Sequence, residues 1–388
     1  MAGKQPLKKK DVTIGKKSFQ AFKESKGFTH NVADKELDWI IMPEAFQTAL
    51  KIPGLAQGYV HICAGHSNSG KSTLVNHAIA AAQRQGLIPV IYDTENNFDF
   101  SYAQAMGFQA EPVYEEVCDE ETGEITQKIV SYEGDFLYFN SAALADRYGN
   151  FDYSTGKEEN KKRKVPVIED IVRSMNELLN AQDEGEIEQG FLFVWDSVGS
   201  IDCFKTYKSA VGGNPMQNAA AISSAFNTII NDRIPRSRKV NSNYTNTFLI
   251  VNKVWLNSML NPVGPPSLAL KGGASLFYGS HGTIILCGGK LTAGTKKLTA
   301  TSKGLNYDYG IETKLSCIKN QLPSPFTVTY EGKVLCTPHG FYPVEKVDEY
   351  KKTYIPEILK QLNAMSKDGV KITADDIKFV ETEEEISD

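Results

Sequence analysis

Residues Gly65 to Thr73 read GHSNSGKST: a glycine, four residues, then Gly70-Lys71-Ser72, the full GxxxxGK[ST] phosphate-loop pattern. Each residue type has a chemical reason to be there. Backbone N–H groups can curl around phosphates only where no Cβ blocks the approach, and Gly65 and Gly70 meet that need. His66, Ser67, Asn68 and Ser69 contribute the amides between them. Lys71 can reach the β and γ phosphates, the Ser72 hydroxyl can complete a Mg²⁺ shell, and Thr73 stands beside it. The predicted chemistry is the binding of a nucleotide with Mg²⁺.

Two further positions could complete that chemistry. The run LIPVIYDTE places Asp93 and Glu95 at the end of a predicted strand. Glu95 has the residue type to orient or deprotonate a water attacking the γ phosphate, and equally the type to act as acidic N-cap of the following helix FSYAQAMGF. The run GFLFVWDSVGSI is a buried strand ending in Asp196-Ser197, and an aspartate there can hold Mg²⁺ through water beside Ser72.

The elements needed to position these groups are legible. Tyr59 to Ala64 is apolar and β-branched, a strand; Thr73 to Gln85 carries apolar residues at helical spacing; Gly86 ends that helix and the next strand follows, giving one βαβ unit. Open α/β folds place their chemistry at the carboxyl edge of the sheet, where Asp93 and Glu95 fall. Residues 110–166 read as an insertion, with a hairpin around Glu121-Thr122-Gly123 and a polar loop bearing the cluster Lys161 to Lys164. A helix follows over VPVIEDIVRSMNELLNAQ, then the Asp196 strand, a polar loop from Asp202 to Gly213, a helix from Asn214 to Pro235, and the strand NTFLIVNKVWL. Asn257 to Gly273 is a long Pro- and Gly-bearing loop, followed by predicted strands in LFYGSHGTIILCGG and GIETKLSCIKN, a strand pair in FTVTYEGKVL, and a helical segment EYKKTYIPEILKQLNAM. The predicted organisation is a basic arm over 1–37, a core over 38–345 and a C-terminal helix with an acidic tail over 346–388.

Composition narrows the setting. At 388 residues with a net charge of −5, the chain can bury a large core. No apolar run approaches the roughly 20 residues needed to span a bilayer, and MAGKQPLKKKDV lacks the apolar core of a signal peptide, so no membrane partner and a cytoplasmic location are expected. The six cysteines stand singly, without a CxxC pair, which suits a reducing compartment and argues against structural zinc. Lysines crowd the first 30 residues, while DDIKFVETEEEISD is acidic.

The order of these pieces resembles the RecA family of DNA strand-exchange recombinases from about Asp38 to Tyr330. The matching stretches are AGHSNSGKST, YDTENNFDFSYAQAMG, FVWDSVGSI, FLIVNKVWL with its following loop and GGASLFYGSHGTIIL, and IETKLSCIKNQLPSPF. The resemblance implies a phosphate-loop NTPase core with a mostly parallel central sheet flanked by helices, ATP and Mg²⁺ as cofactors, and Glu95 as general base. It implies that Lys319 reaches the ATP of an adjacent subunit. It also implies two DNA-binding loops, in which Tyr207, Lys208, Gly212 and Gly213, then Trp255, Met259, Lys271, Gly272 and Gly273, are the candidate contacts. The implied partners are single-stranded DNA, homologous duplex DNA and further copies of the chain in a helical filament, with single-strand-binding and loader proteins beyond them.

The chain departs from the family at Lys253, where many bacterial members carry glutamine and where the lysine is a candidate either to contact the γ phosphate or to alter how ATP couples to the DNA loop, and at Gln321, where the family has a second lysine. The family's larger C-terminal DNA-gathering domain has no match, which fits a divergent branch, viral ones included; the location would then be host cytoplasm. The other function class open to this sequence is a motor or regulator on the same fold, such as a hexameric helicase core or ring NTPase.

Overall fold

The computed structural model describes residues 19, 21–28, 32–118, 125–209, 215–257, 267–270, 274–287, 295–366 and 371–383. Its strands begin with β1 (Trp39–Ile41), β2 (Gly54–Ala56), β3 (Val60–Gly65), β4 (Ile88–Asp93), β5 (Glu111–Cys118) and β6 (Ile125–Glu133). They continue with β7 (Leu137–Asn140), β8 (Phe151–Asp152), β9 (Lys157–Glu158), β10 (Phe191–Asp196), β11 (Thr247–Asn257) and β12 (Ser267–Leu270). The last are β13 (Gly282–Cys287), β14 (Lys296–Ser302), β15 (Leu305–Asn320), β16 (Glu331–Thr337), β17 (Gly340–Pro343) and β18 (Lys378–Glu383).

The main sheet runs β17-β16-β15-β13-β3-β11-β10-β4-β7. From β13 to β7 every neighbouring pair is parallel, whereas β15, β16 and β17 extend it with antiparallel pairing. This is the α/β core expected from the sequence, a parallel centre with an antiparallel flank.

The parallel strands read as apolar runs because both of their faces are covered. Alternate residues divide between two cores. Cys63, Ile91, Leu192, Val194, Leu249 and Val251 face one side, where Leu74, Val75, Ala78 and Ile79 of the helix Lys71–Arg84 pack. Val60, Ile62, Tyr92, Phe193, Trp195 and Ile250 face the other, against Ile168, Ile171, Met175 and Leu179 of the helix Ile168–Asp183. Each fully buried aliphatic contributes about 1.5–3 kcal/mol, so the two layers fix the strand register and with it the sheet's carboxyl edge.

Several local expectations are corrected. Residues Ser267 to Leu270, inside the expected long loop, form β12 and pair antiparallel with β11. Ala274–Gly279 is a helix where LFYGS suggested a strand, because a short apolar run does not distinguish the two by pattern. Only Glu331–Thr337 of the expected strand pair is extended, and its hairpin partner is β17. The Asp202–Gly213 loop contains the helix Phe204–Lys208. The predicted helix from Asn214 divides into Pro215–Ala225, a π-turn over Ile229–Arg233 and a short helix Ile234–Arg236. Part of the expected acidic tail is strand β18, bonded to β14, with Phe379 packed on a third core built from Leu298, Tyr309, Leu335, Tyr350 and Leu362. The hairpin β5–β6 forms as expected, its turn lying outside the described residues.

Candidate nucleotide site

Strand register alone assembles the site. Lys253 on β11 stands opposite Gly65 on β3, and Asp196 on β10 stands opposite Asp93 on β4. Because these strands are parallel, residues far apart in sequence finish side by side at one edge, and Gly65 opens there into the phosphate loop.

The loop has the shape of an anion cradle. Gly70, at φ 94°, is the N-cap of the helix Lys71–Arg84, so the helix points its unbonded amides into the loop. A Cβ on Gly65 would lie 2.5 Å from the Leu286 carbonyl oxygen, which explains the glycine there. Lys71 Nζ donates to the carbonyls of Gly65 (3.1 Å) and His66 (2.5 Å), and burial lowers its pKa. His66 Nε2 and Ser69 Oγ are buried with no partner, polar atoms that an oxyanion or its water would satisfy. Ser67, Asn68 and Ser72 are exposed, the last two on the cleft, and Asn68 has a positive φ of 56°. Thr73 differs from the expectation: it is buried, and its hydroxyl shares a 2.7 Å hydrogen bond with the Tyr102 hydroxyl.

The acidic half of the site is tightly organised. Burial, with the carboxylates of Glu95 and Asp93 nearby, pushes Asp196 up to about 7, opposed by Lys71 and Lys253. The two lysines do not offset burial and the neighbouring carboxylates, and a Mg²⁺ held by Asp196 and Ser72 would add the positive charge that does. Among the described residues no cluster of three or more His, Cys, Asp or Glu is arranged as a metal cage. Asp196 and the Ser72 hydroxyl are hard oxygen donors, the type Mg²⁺ takes together with phosphate oxygens and water.

Glu95 is not a helix cap; Asp99 caps Phe100–Ala105, accepting from the Tyr102 amide. Instead Lys253 Nζ lies 2.8 Å from Glu95 Oε1, and the Ser197 hydroxyl donates to the same oxygen. Burial acts to raise the Glu95 pKa, but the hydrogen bonds from Lys253 and Ser197 and the charges of Lys253 and Lys71 outweigh it and hold the carboxyl below its ordinary value. Asp93 serves the backbone, accepting from the amides of Asn97 and Phe98 and from the Tyr138 hydroxyl.

The loop opens into a cleft of about 540 Å³ whose other walls include Asp99, Tyr102, Lys297, Asp308, Cys336, Thr337 and Pro338. Tyr102 also donates to the Thr337 carbonyl, tying the two walls together. These residues escaped the sequence reading. Asp99 before an apolar helix was a recognisable cap signal, whereas Thr337 and Pro338 arrive from a distant strand with no local mark.

The remaining candidates lie elsewhere. Lys319 pairs with Thr283 near the start of β13, whereas Gly65 pairs with Leu286 toward its end. Its ammonium donates to the carbonyls of Phe277 (2.5 Å) and Tyr278 (2.8 Å). Tyr207 is 43% exposed and stacks on Phe204. Lys208, expected as a phosphate contact, is paired with buried Asp152. Arg163, expected in a solvated loop, is buried in an ion pair with Asp170 at 2.8 Å. Trp255 lies on β11 opposite Ala269. Gly212, Gly213, Met259, Lys271, Gly272 and Gly273 lie outside the described residues.

Comparison with known proteins agrees with this arrangement. Residues 8–145 match the RecA N-terminal domain family. The chain is 38% identical over 86 residues to a protein named Protein RecA from Desulforapulum autotrophicum, covering 22% of this chain and 24% of that one. It is 40% identical over 86 residues to Protein RecA of Chlorobium chlorochromatii, with 22% and 24% covered, and 34% identical over 101 residues to that of Mesoplasma florum, with 26% and 28% covered. These matches span about a quarter of the length of the curated relatives. With the phosphate loop, the acidic strand ends and the central sheet all in their places, the chain is similar to the RecA family over residues 8–145.

Proposed function

We propose that this protein is an ATP-dependent DNA recombination and repair protein that forms helical filaments on single-stranded DNA and exchanges strands with a homologous duplex, hydrolysing ATP in a DNA-stimulated way. The observation that carries the reading is the convergence of the phosphate loop, Asp196 and the Glu95–Lys253 pair on one sheet edge.

ATP would supply the phosphoanhydride bond and Mg²⁺ the charge that offsets the phosphates. The loop amides, Lys71 and Ser72 bind and orient the triphosphate, with Asp196 beside the ion. Glu95 Oε1, held by Ser197 and Lys253, orients the attacking water and takes its proton. Lys319 cannot serve its own loop: three residues of β13, roughly 10 Å, separate the two positions, and its ammonium is directed to the Phe277 and Tyr278 carbonyls. It acts on the nucleotide of the adjacent subunit, stabilising charge on the γ phosphate. The Asp202–Gly213 and Asn257–Gly273 loops contact DNA, mainly through its backbone, so binding is salt-dependent and tolerant of sequence. No helix among the described residues is long and apolar enough to cross a membrane.

The test is ATPase with and without single-stranded DNA, joined to electron microscopy with a slowly hydrolysed ATP analogue. Stimulation and open helical filaments are expected. Closed rings, or assembly indifferent to DNA, would refute the recombinase reading.

A further inference from the structure

The insertion holds the base of the first expected DNA loop. Asp152, at the end of β8, is only 2% exposed, yet its carboxylate is fully engaged. Oδ1 accepts from the amides of Ser154 (2.7 Å) and Thr155 (3.0 Å) and from the Ser154 hydroxyl, while Oδ2 accepts from Lys208 Nζ. Glu159, just beyond β9, places a second carboxylate oxygen 3.9 Å from the same ammonium. The turn-forming bonds fix Asp152 in space, so of the two partners the lysine is the one able to move. Arg163 locks the other side, pairing with Asp170 and lying 5.5 Å from the Phe204 ring centroid.

The charge count at this point is one ammonium against two carboxylates. A DNA phosphate approaching Lys208 meets a locally negative surface, although the lysine side chain is 45% exposed. Loss of one carboxylate leaves the group neutral, and loss of both leaves a single unmasked cation on the loop base. A phosphate gains a counterion-releasing contact only in the last case.

Resting on the DNA-binding reading above, we propose that Asp152 and Glu159 of the insertion mask Lys208, so that the insertion sets how strongly the Asp202–Gly213 loop holds nucleic acid phosphates. The insertion thereby acquires a function, as a built-in counterion that weakens DNA attachment at this loop and keeps it exchangeable. Asp152 and Glu159 are positioning residues: they act through Lys208 and touch neither nucleotide nor DNA.

The experiment measures fluorescent oligothymidylate binding across a salt titration, in the presence of a slowly hydrolysed ATP analogue. The proteins are wild type, Glu159→Gln, Asp152→Asn, the double variant, and Lys208→Ala in wild-type and double-variant backgrounds. Asparagine keeps the Oδ1 acceptor for Ser154 and Thr155, and Glu159→Gln alters an exposed side chain outside those bonds. The double variant is expected to bind about five- to tenfold tighter at 50 mM salt, with the log–log salt slope steeper by about 0.7, the value for one added phosphate contact on a single strand. Adding Lys208→Ala to the double variant should restore the wild-type slope, whereas Lys208→Ala alone should leave that slope unchanged. A merely structural role would shift affinity without moving the slope in this Lys208-dependent way. The proposal is overturned if the double variant keeps the wild-type slope, or if Lys208→Ala alone flattens it. Failure of every variant, wild type included, to bind the oligonucleotide would instead overturn the DNA-binding reading, and this proposal with it.

Discussion

Asp196→Asn should make the nucleotide-free protein more stable and take away most of the stability that nucleotide adds. The Asp196 carboxyl is raised from an ordinary 3.8 to about 7, by burial first and by the neighbouring Glu95 and Asp93 charges next. Between those two values the folded state binds a proton that the unfolded state has released. Stability therefore falls as pH rises through that window, by about 1.4 kcal/mol per pH unit, and levels off above it. Full ionisation is opposed by about 4 kcal/mol. Asparagine, uncharged like the protonated acid, removes that opposition, which is already net of the attraction of Lys71 and Lys253, so a gain of up to about 4 kcal/mol at pH 8 is expected, read as a rise in Tm of several degrees. With Mg²⁺ and ATP that advantage shrinks, because the wild-type carboxylate then has its cation. Ligand at 100 times Kd stabilises by about 2.7 kcal/mol, and the variant should lose most of this. Thermal unfolding from pH 5 to 8.5, with and without Mg²⁺ and ATP, reads both effects. A variant less stable than wild type in every condition, or a wild-type protein with no fall in stability between pH 5 and 7, would refute the reasoning.

Glu95→Gln should reduce ATP turnover at least 100-fold while leaving nucleotide affinity within about threefold, as expected of a lost general base rather than a lost binding group; a fluorescent nucleotide titration beside the ATPase assay separates the two. Gly70→Ala should lose about 1–2 kcal/mol of stability from its left-handed backbone alone, and nucleotide binding with it, since the new Cβ would come 2.4 Å from Cys336 Sγ; unchanged melting and binding would contradict the cradle geometry. Lys71→Ala and Lys319→Ala should each be inactive, yet an equal mixture should recover activity at about one interface in four, because only there do an intact phosphate loop and an intact Lys319 meet across a head-to-tail contact. No recovery on mixing would place Lys319 in its own subunit's chemistry or outside the chemistry altogether.

The sequence made the nucleotide half of this molecule readable because its determinants are local. A phosphate loop needs glycine, lysine and serine within a few residues, and a parallel strand covered on both faces announces itself as an apolar run. What stayed hidden depends on residues brought together by register. Lys253 was visible as a departure from the family, but that it would grip Glu95 follows only once β11 lies beside β3 and the Glu95 turn folds over the edge. Tyr102 and Thr337 meet across the cleft from elements 235 positions apart. Strand β18 was obscured differently: the acidic composition of the final segment suggested a solvated tail, yet Phe379 docks into the third core while Val380, beside it, stays exposed. Arg163 was misread for the same reason, as one more charge in a basic run, when Asp170 and the rings of Tyr153 and Phe204 give it a buried place.

One strand joins the proposed nucleotide edge to the second proposed DNA loop. β11 presents Lys253 to Glu95 and then continues through Trp255 to Asn257, where the second expected DNA loop begins. The distance is four residues, roughly 13 Å of extended chain, and β12 stiffens it by pairing with Val254 through Asn257. A change in what Lys253 touches therefore acts at the root of that loop through paired backbone rather than through a flexible hinge. The first loop is held by a different device, the Asp152–Lys208 and Arg163–Asp170 pairs, each with one partner in the insertion. The two loops should then respond to different signals. On this proposal nucleotide state would act on the second through β11, and charge within the insertion would act on the first.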